Sequence, residues 1–241
     1  MSLLETRALV VRTVEFGESD VIATLVTEDA GKVAAVVRGA RKGSRRVGGA
    51  LEPVHTIAVL LDDKGAELTT LKESRIVQLR TGVVSNLESL DAAGTALRWA
   101  RHLFPPRTPE PLGWSVLIEL LDALDAVPAG SVPPRRELAR AGLAMLAAVG
   151  YGLELEQCAV CGRPCPEGRS ACVDPARGGL VCRACGGAAS VLLPAAREAA
   201  RSLSRRATPS TADAAAVTDA SAEALLGLVD RAMAAHAGFE R

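Results

Sequence analysis

Arg7-Ala-Leu-Val-Val-Arg-Thr13, Asp20-Val-Ile-Ala-Thr-Leu-Val-Thr27 and Lys32-Val-Ala-Ala-Val-Val-Arg38 follow one another near the start of a chain of 241 residues. Each is a short run rich in β-branched and aliphatic residues, which suits a pleated, half-buried strand. The breaks between them, Phe16-Gly17-Glu18-Ser19 and Glu28-Asp29-Ala30-Gly31, hold the residue types that turn the backbone or tolerate unusual dihedrals. Two further runs, Val54–Leu61 and Glu67–Lys72, are separated by Asp62-Asp63-Lys64-Gly65. Five short strands within the first eighty residues predict a small closed barrel, with an OB-fold as the first candidate.

The pattern changes after Thr81. Val83–Phe104 carries Val84, Leu87, Leu90, Leu97 and Leu103 at helical spacing, and Pro105-Pro106 stops it. Leu112–Ala126 makes a second stripe. A third helix is expected from beside Pro133-Pro134 to Gly150, and two more over Pro194–Arg206 and Asp213–His236. Trp99, Phe104 and Trp114 sit in these stripes and read as helical core. Arg135-Arg136 and Arg205-Arg206 flank predicted helices and read as solvated.

All six cysteines fall between the third and fourth of these helices, as Cys158-Ala-Val-Cys161-Gly162 and Cys182-Arg-Ala-Cys185-Gly186, with Cys165 and Cys172 between the pairs. Two residues between cysteines let one turn present two thiolates, and the two pairs together supply the four ligands of a tetrahedral structural zinc. The competing reading is a disulfide cluster. It suits a small secreted domain, whereas this chain shows no charged-then-apolar leader and keeps cysteine out of every other region. Catalytic zinc needs an open position and a nearby carboxylate or histidine. His55, His102 and His236 are followed by Thr-Ile, Leu-Phe and Ala-Gly, so no metallohydrolase motif is present. The ligand set expected is Cys158, Cys161, Cys182 and Cys185.

An apolar share of 49% supports a folded core, and a net charge of zero means that any polyanion surface must arise from uneven placement of charge. No apolar run approaches the ~18 residues that cross a membrane, which places the protein in the cytoplasm. The uneven placement lies after the third strand. Arg38, Arg41, Lys42, Arg45 and Arg46 fall in one loop without an acid, interleaved with glycine and serine. Guanidinium and backbone N–H groups in such a loop can reach phosphate oxygens. A charge run of this kind is also a common solvated surface. Its position on a barrel that receives single strands favours nucleic acid. Rings are scarce, and Phe16 is the only one in the first eighty residues. Binding should therefore rest on phosphates, with weak sequence preference.

Together, Glu18-Ser19-Asp20 after an aromatic-glycine turn, Gly31-Lys32 at a strand start, the run from Arg38-Gly39-Ala40-Arg41 to Gly49-Ala50-Leu51-Glu52-Pro53, and the two cysteine pairs resemble the RecO family of bacterial recombination mediators. The resemblance implies an α+β, multidomain chain: an OB-fold over 1–80, a helical domain over 81–155 and 189–241, and a zinc module over 156–188 that interrupts it. It also implies binding of single- and double-stranded DNA, annealing of complementary strands, pairing with RecR, and recombinase loading on strands coated by single-strand-binding protein. Cys172 stands where many relatives carry an aromatic residue, so it reads as a packing residue.

No nucleotide-binding loop surrounds Gly31-Lys32, so the chain is expected to act by binding and not as an enzyme. Two rivals are a zinc-ribbon adaptor with an inert basic loop and a metalloenzyme acting on nucleic acid.

Overall fold

The computed structural model describes residues 2–42, 51–63, 65, 67–126, 132–204 and 211–237. They fall into two compact units, Met1–Asp125 and Ala126–Arg241.

The first unit opens with β1 (Ser2–Phe16), β2 (Asp20–Thr27), β3 (Gly31–Val37), β4 (Thr56–Asp63) and β5 (Leu68–Gln78), closed in the order β1-β2-β3-β5-β4. This is the five-stranded OB-fold barrel. β1 is twice as long as its sequence run because it serves both neighbours: residues 2–8 pair with β4 and residues 8–16 with β2. A register shift between Val10 and Arg12 bends it from one to the other, as bulges do at barrel corners. β5 behaves similarly, pairing parallel with β3 through residues 68–70 and antiparallel with β4 through residues 70–78.

Inward positions alternate along each strand, and Ala8, Val10, Ala23, Leu25, Val33, Ala35, Val37, Ile57, Val59, Leu61 and Leu71 fill the interior. Aliphatic side chains, mostly alanine and valine with Leu25, Ile57, Leu61 and Leu71, suffice because a five-stranded barrel leaves little room inside, which explains a core without rings.

Three helices complete this unit: α1 (Thr81–Ser85), α2 (Leu87–Leu103) and α3 (Pro111–Asp125). The single helix expected from Val83 is broken at Asn86, whose extended backbone and side-chain bond to the Ser89 N–H make it the N-cap of α2. The N–H groups of Gly82 and Val83 go to the Asp125 carboxylate. Trp99, Phe104 and Trp114 are buried, as their spacing predicts. Arg80, fully buried, joins barrel to helices. Its guanidinium donates to Val54 O (2.7 Å), Thr56 Oγ1 (2.9 Å) and Asp122 Oδ1 (2.8 Å). Val54 holds φ at 70°, a left-handed conformation that is costly for a β-branched residue.

Gly31-Lys32 proves to be a docking point for the segment after α2. Lys32 accepts from the Arg107 N–H (3.0 Å), and its ammonium donates to Arg101 O (2.5 Å). Burial, followed by the nearby Arg101, pushes the Lys32 pKa down. Gly31 has φ of 67°, and a Cβ there would lie 2.1 Å from Thr108 O. Gly31→Ala is therefore expected to destabilise the first unit by about 2–3 kcal/mol through overlap and strain. Gly94→Ala, in α2 where a Cβ meets nothing within 4 Å, should stabilise by up to about 1 kcal/mol. Denaturant midpoints of the two variants check the contrast.

The second unit holds α4 (Pro134–Ala148), α5 (Pro194–Ser204), α6 (Thr211–Ala215) and α7 (Asp219–Ala237). α4 packs along α7 and α5 and buries most of its circumference, including the Glu137–Arg140 ion pair (2.8 Å). Arg135 is exposed, as its position predicts, and meets Glu223 at the surface, whereas Arg136 is half-buried and pairs with Asp219 of α7 (2.9 Å); Arg205 and Arg206 lie outside the described residues.

Between α4 and α5 lies an additional small sheet, ordered β7-β6-β8: β6 (Ala171–Asp174), β7 (Gly179–Leu180) and β8 (Ser190–Leu192). These strands were too short to register as patterns. Among the described residues no helix is long and apolar enough to cross a membrane.

Candidate nucleic-acid interface and metal centre

The basic segment leaves the end of β3 through a tight turn. Gly39 takes φ of 67°, and its N–H donates to Asp20 Oδ1 (2.9 Å) at the start of β2. A single 3-10 turn over Ala40–Lys42 follows. Within it the Arg41 N–H donates to Ser19 O (3.1 Å), and the Arg41 guanidinium pairs with Glu15 at 3.2 Å. Arg38 and Arg41 are exposed. Arg45, Arg46 and the side chain of Lys42 lie outside the described residues.

Three cations elsewhere in this unit are committed to acids, whereas Arg12 on β1 and Arg75 on β5 are exposed without an ion pair among the described residues. Arg7 grips Glu28 through two bonds (2.6 and 2.5 Å), which raises the arginine pKa and lowers that of the glutamate. Arg107 pairs with Asp63 (2.7 Å) and Lys72 with Asp62 (3.2 Å). The Glu15 partner of Arg41 is 74% exposed, so that pair is worth at most about 1 kcal/mol and is screened by salt. A phosphate can take the glutamate's place. Arg38 has no ion pair among the described residues. Phe16, at the end of β1, is half exposed.

The four cysteines of the two pairs converge. In the first knuckle Gly162, at φ 69°, donates its N–H to Cys158 O (2.8 Å). In the second, the N–H groups of Cys185 (2.9 Å) and Gly187 (3.0 Å) donate to Cys182 O, and Gly186, at φ 96°, ends the turn. The Ala159 N–H bonds Leu180 O (2.8 Å), which brings the knuckles together. The sulfurs of Cys158, Cys161, Cys182 and Cys185 all lie within 4.8 Å of one another, and this set could hold a metal ion. Cys161 Sγ and Cys182 Sγ are 3.8 Å apart. Cys165 and Cys172 fall outside it.

The Cys182 N–H points at Cys158 Sγ (3.4 Å) and, with further donors, lowers the Cys158 pKa to about 6. Hydrogen bonding with Cys161 and Cys182 pushes the Cys185 thiol up to about 12.

One residue that carries this module was not singled out by sequence reasoning. Arg197 of α5 is buried, and its guanidinium donates to Pro166 O (2.6 Å), Cys165 O (2.7 Å), Leu155 O (3.3 Å) and Arg169 O (3.3 Å). One turn later, Arg201 reaches Glu198 (3.0 Å), Glu167 (3.3 Å) and Glu156 (3.6 Å). The available signal was two arginines four residues apart in the same stripe as Ala196, Ala200 and Leu203.

Comparison with known proteins covers both units. Residues 1–80 match the family model described as Recombination protein O N terminal, and residues 85–241 match Recombination protein O C terminal. The chain is 37% identical to the DNA repair protein RecO of Anaeromyxobacter sp. (strain Fw109-5), over 78% of this chain and 72% of the relative. It is 34% identical to the protein of the same name from Geobacter sulfurreducens, over 77% and 74%. The corresponding Rubrobacter xylanophilus protein is 31% identical, over 77% and 72%. With nearly every residue inside one or other half of a single family, and relatives aligned along most of their length, the chain belongs to the RecO family of DNA repair proteins.

Proposed function

We propose that this protein is a DNA-binding repair factor. It binds single- and double-stranded DNA, brings complementary strands together and, with RecR, promotes recombinase loading on single strands coated by single-strand-binding protein. The observation that supports this reading best is the basic segment at the end of β3, with Arg38 and Arg41 exposed on a closed barrel in a chain of zero net charge.

Two complementary strands repel through their phosphates. Cations that neutralise phosphates and leave base edges free speed pairing without any covalent step. A surface with one half-exposed ring, Phe16, suits that role better than a stacking platform would. The protein acts in the cytoplasm and without turnover. Gly31-Lys32 is occupied in holding the segment after α2 and is not a phosphate loop.

The metal that best fits the cysteine set is a structural zinc, one per chain. Zinc–sulfur bonds of about 2.3 Å place the sulfurs of a regular tetrahedron about 3.8 Å apart, which agrees with the separation of Cys161 and Cys182. Bound there, zinc would cross-link the two knuckles. Four thiolates leave no open coordination position, so the set supports scaffolding over hydrolysis.

The test is strand annealing, with and without coating protein, by the wild type and by the variant with Arg41, Lys42, Arg45 and Arg46 changed to alanine. Affinity for single strands is expected to fall roughly tenfold to a hundredfold at moderate salt, with a salt dependence shallower by about one per lost phosphate contact. An unchanged affinity and salt slope would favour the protein-only adaptor.

A further inference from the structure

We infer that Asp20 is a positioning residue for the basic segment: its carboxylate holds the turn at Gly39, and that turn sets where Arg38 and Arg41 offer their guanidinium groups. The inference rests on the DNA-binding reading and adds a role for an acid at the edge of a basic surface. Charge alone would disfavour an acid beside phosphates.

The register of β2 against β3 pairs Val21 with Val37, so its continuation places Asp20 across from Arg38. An acid and a base so placed could form an ion pair. They do not. Asp20 Oδ1 instead accepts the backbone N–H of Gly39 (2.9 Å) and the hydroxyl of Ser19 (3.3 Å). The Arg38 guanidinium keeps no acid among the described residues.

Gly39 is left-handed with nothing within 4 Å of a Cβ position, so its conformation is set by this bond and by the chain on either side. Two residues on, the Arg41 N–H reaches Ser19 O (3.1 Å), and its side chain reaches Glu15 (3.2 Å). The start of the basic segment is thus tied at three points to Glu15–Asp20. Asp20 itself is fixed by pairing with Phe16 across the β1–β2 turn.

A loop start ordered in advance binds its ligand without the ordering cost of about 1–2 kcal/mol per residue. The Glu-Ser-Asp run therefore acts through backbone geometry, and an acid is used because a charged acceptor bonds an N–H more strongly than a neutral one.

The experiment measures binding of a fluorescent oligothymidylate by the full chain across a salt series, comparing Asp20→Ala, Asp20→Asn and the four-residue loop variant. Asparagine keeps the Oδ1 acceptor and removes the charge, whereas alanine removes both. Asp20→Asn should bind at least as tightly as wild type. Asp20→Ala should bind roughly three- to tenfold more weakly, with a shallower salt slope. Tighter or equal binding by Asp20→Ala, alongside a loss in the loop variant, overturns the positioning role and leaves DNA binding standing. Equal affinity in all three overturns both. If Asp20→Ala does not fold, Gly39→Pro removes the same bond from the donor side, since proline has no N–H and cannot hold φ at 67°, and must show the same loss; wild-type affinity there also overturns the inference.

Discussion

Cys182→Ser should abolish metal binding by the four-cysteine set and unfold the module from about Glu154 to Leu192 while the barrel unit stays folded. Cys182 contributes more than a sulfur. Its carbonyl accepts from Cys185 and Gly187, its N–H points at Cys158 Sγ, and its own sulfur lies 3.8 Å from Cys161. The strands around it are two to four residues long, too short to hold two knuckles by backbone bonding alone. In a module so small, metal binding would supply folding free energy on the order of 10 kcal/mol, comparable with the total stability of a typical domain. Serine offers a poor zinc ligand and loses most of this.

Metal content by mass spectrometry should fall from one per chain towards zero, and amides between Cys158 and Gly187 should exchange freely. The barrel unit contains no cysteine, so its own melting transition should remain. Cys172→Ser, outside the four-sulfur set, should retain the metal. Full metal occupancy in Cys182→Ser would sink the four-cysteine assignment. Loss of metal in Cys172→Ser would make it a ligand.

The barrel was legible because strand formation in it is a local matter: β-branched runs bounded by Gly and Asp clusters. What escaped was how far each strand extends. β1 and β5 run well past their apolar stretches because each pairs with two neighbours, and Ser2–Thr6 and Glu73–Gln78 become strand through partners distant in sequence. Asn86 broke an expected helix through a cap that outweighed continuous helical spacing. β6, β7 and β8 are imposed by the module around them and carry no periodicity of their own.

The candidate site divides in the same way. Residue types and spacing singled out the cysteine pairs and the basic run. The acceptors that shape the basic run, Ser19 and Asp20, and the buried Arg197 depend on backbone atoms brought close only by folding. An arginine whose partners are carbonyls leaves no complementary acid to find in the sequence.

That property makes Arg197 the second residue whose loss should be severe. Arg197→Ala orphans Pro166 O and Cys165 O, held at 2.6 and 2.7 Å, and weakens the hold on Leu155 and Arg169. The bond to Leu155 O is buried and the other three are part-buried, so water takes up some of the loss; at about 1–3 kcal/mol for a buried carbonyl left without a donor, a total of about 2–4 kcal/mol is expected. Arg201→Ala provides the internal comparison. Its partners Glu156, Glu167 and Glu198 are more than half exposed, so water replaces the lost bonds and the change should be nearer 1 kcal/mol. Arg197→Lys should not rescue, because one ammonium cannot reproduce a planar fork spread over four carbonyls. Calorimetry of the metal-loaded protein should show the second unit melting earlier in Arg197→Ala and Arg197→Lys than in Arg201→Ala, and a chelator should strip the metal faster from the first two. Equal melting of all three would mean that the carbonyls find other donors, and that the cysteine knuckles hold residues 154–169 without help from α5.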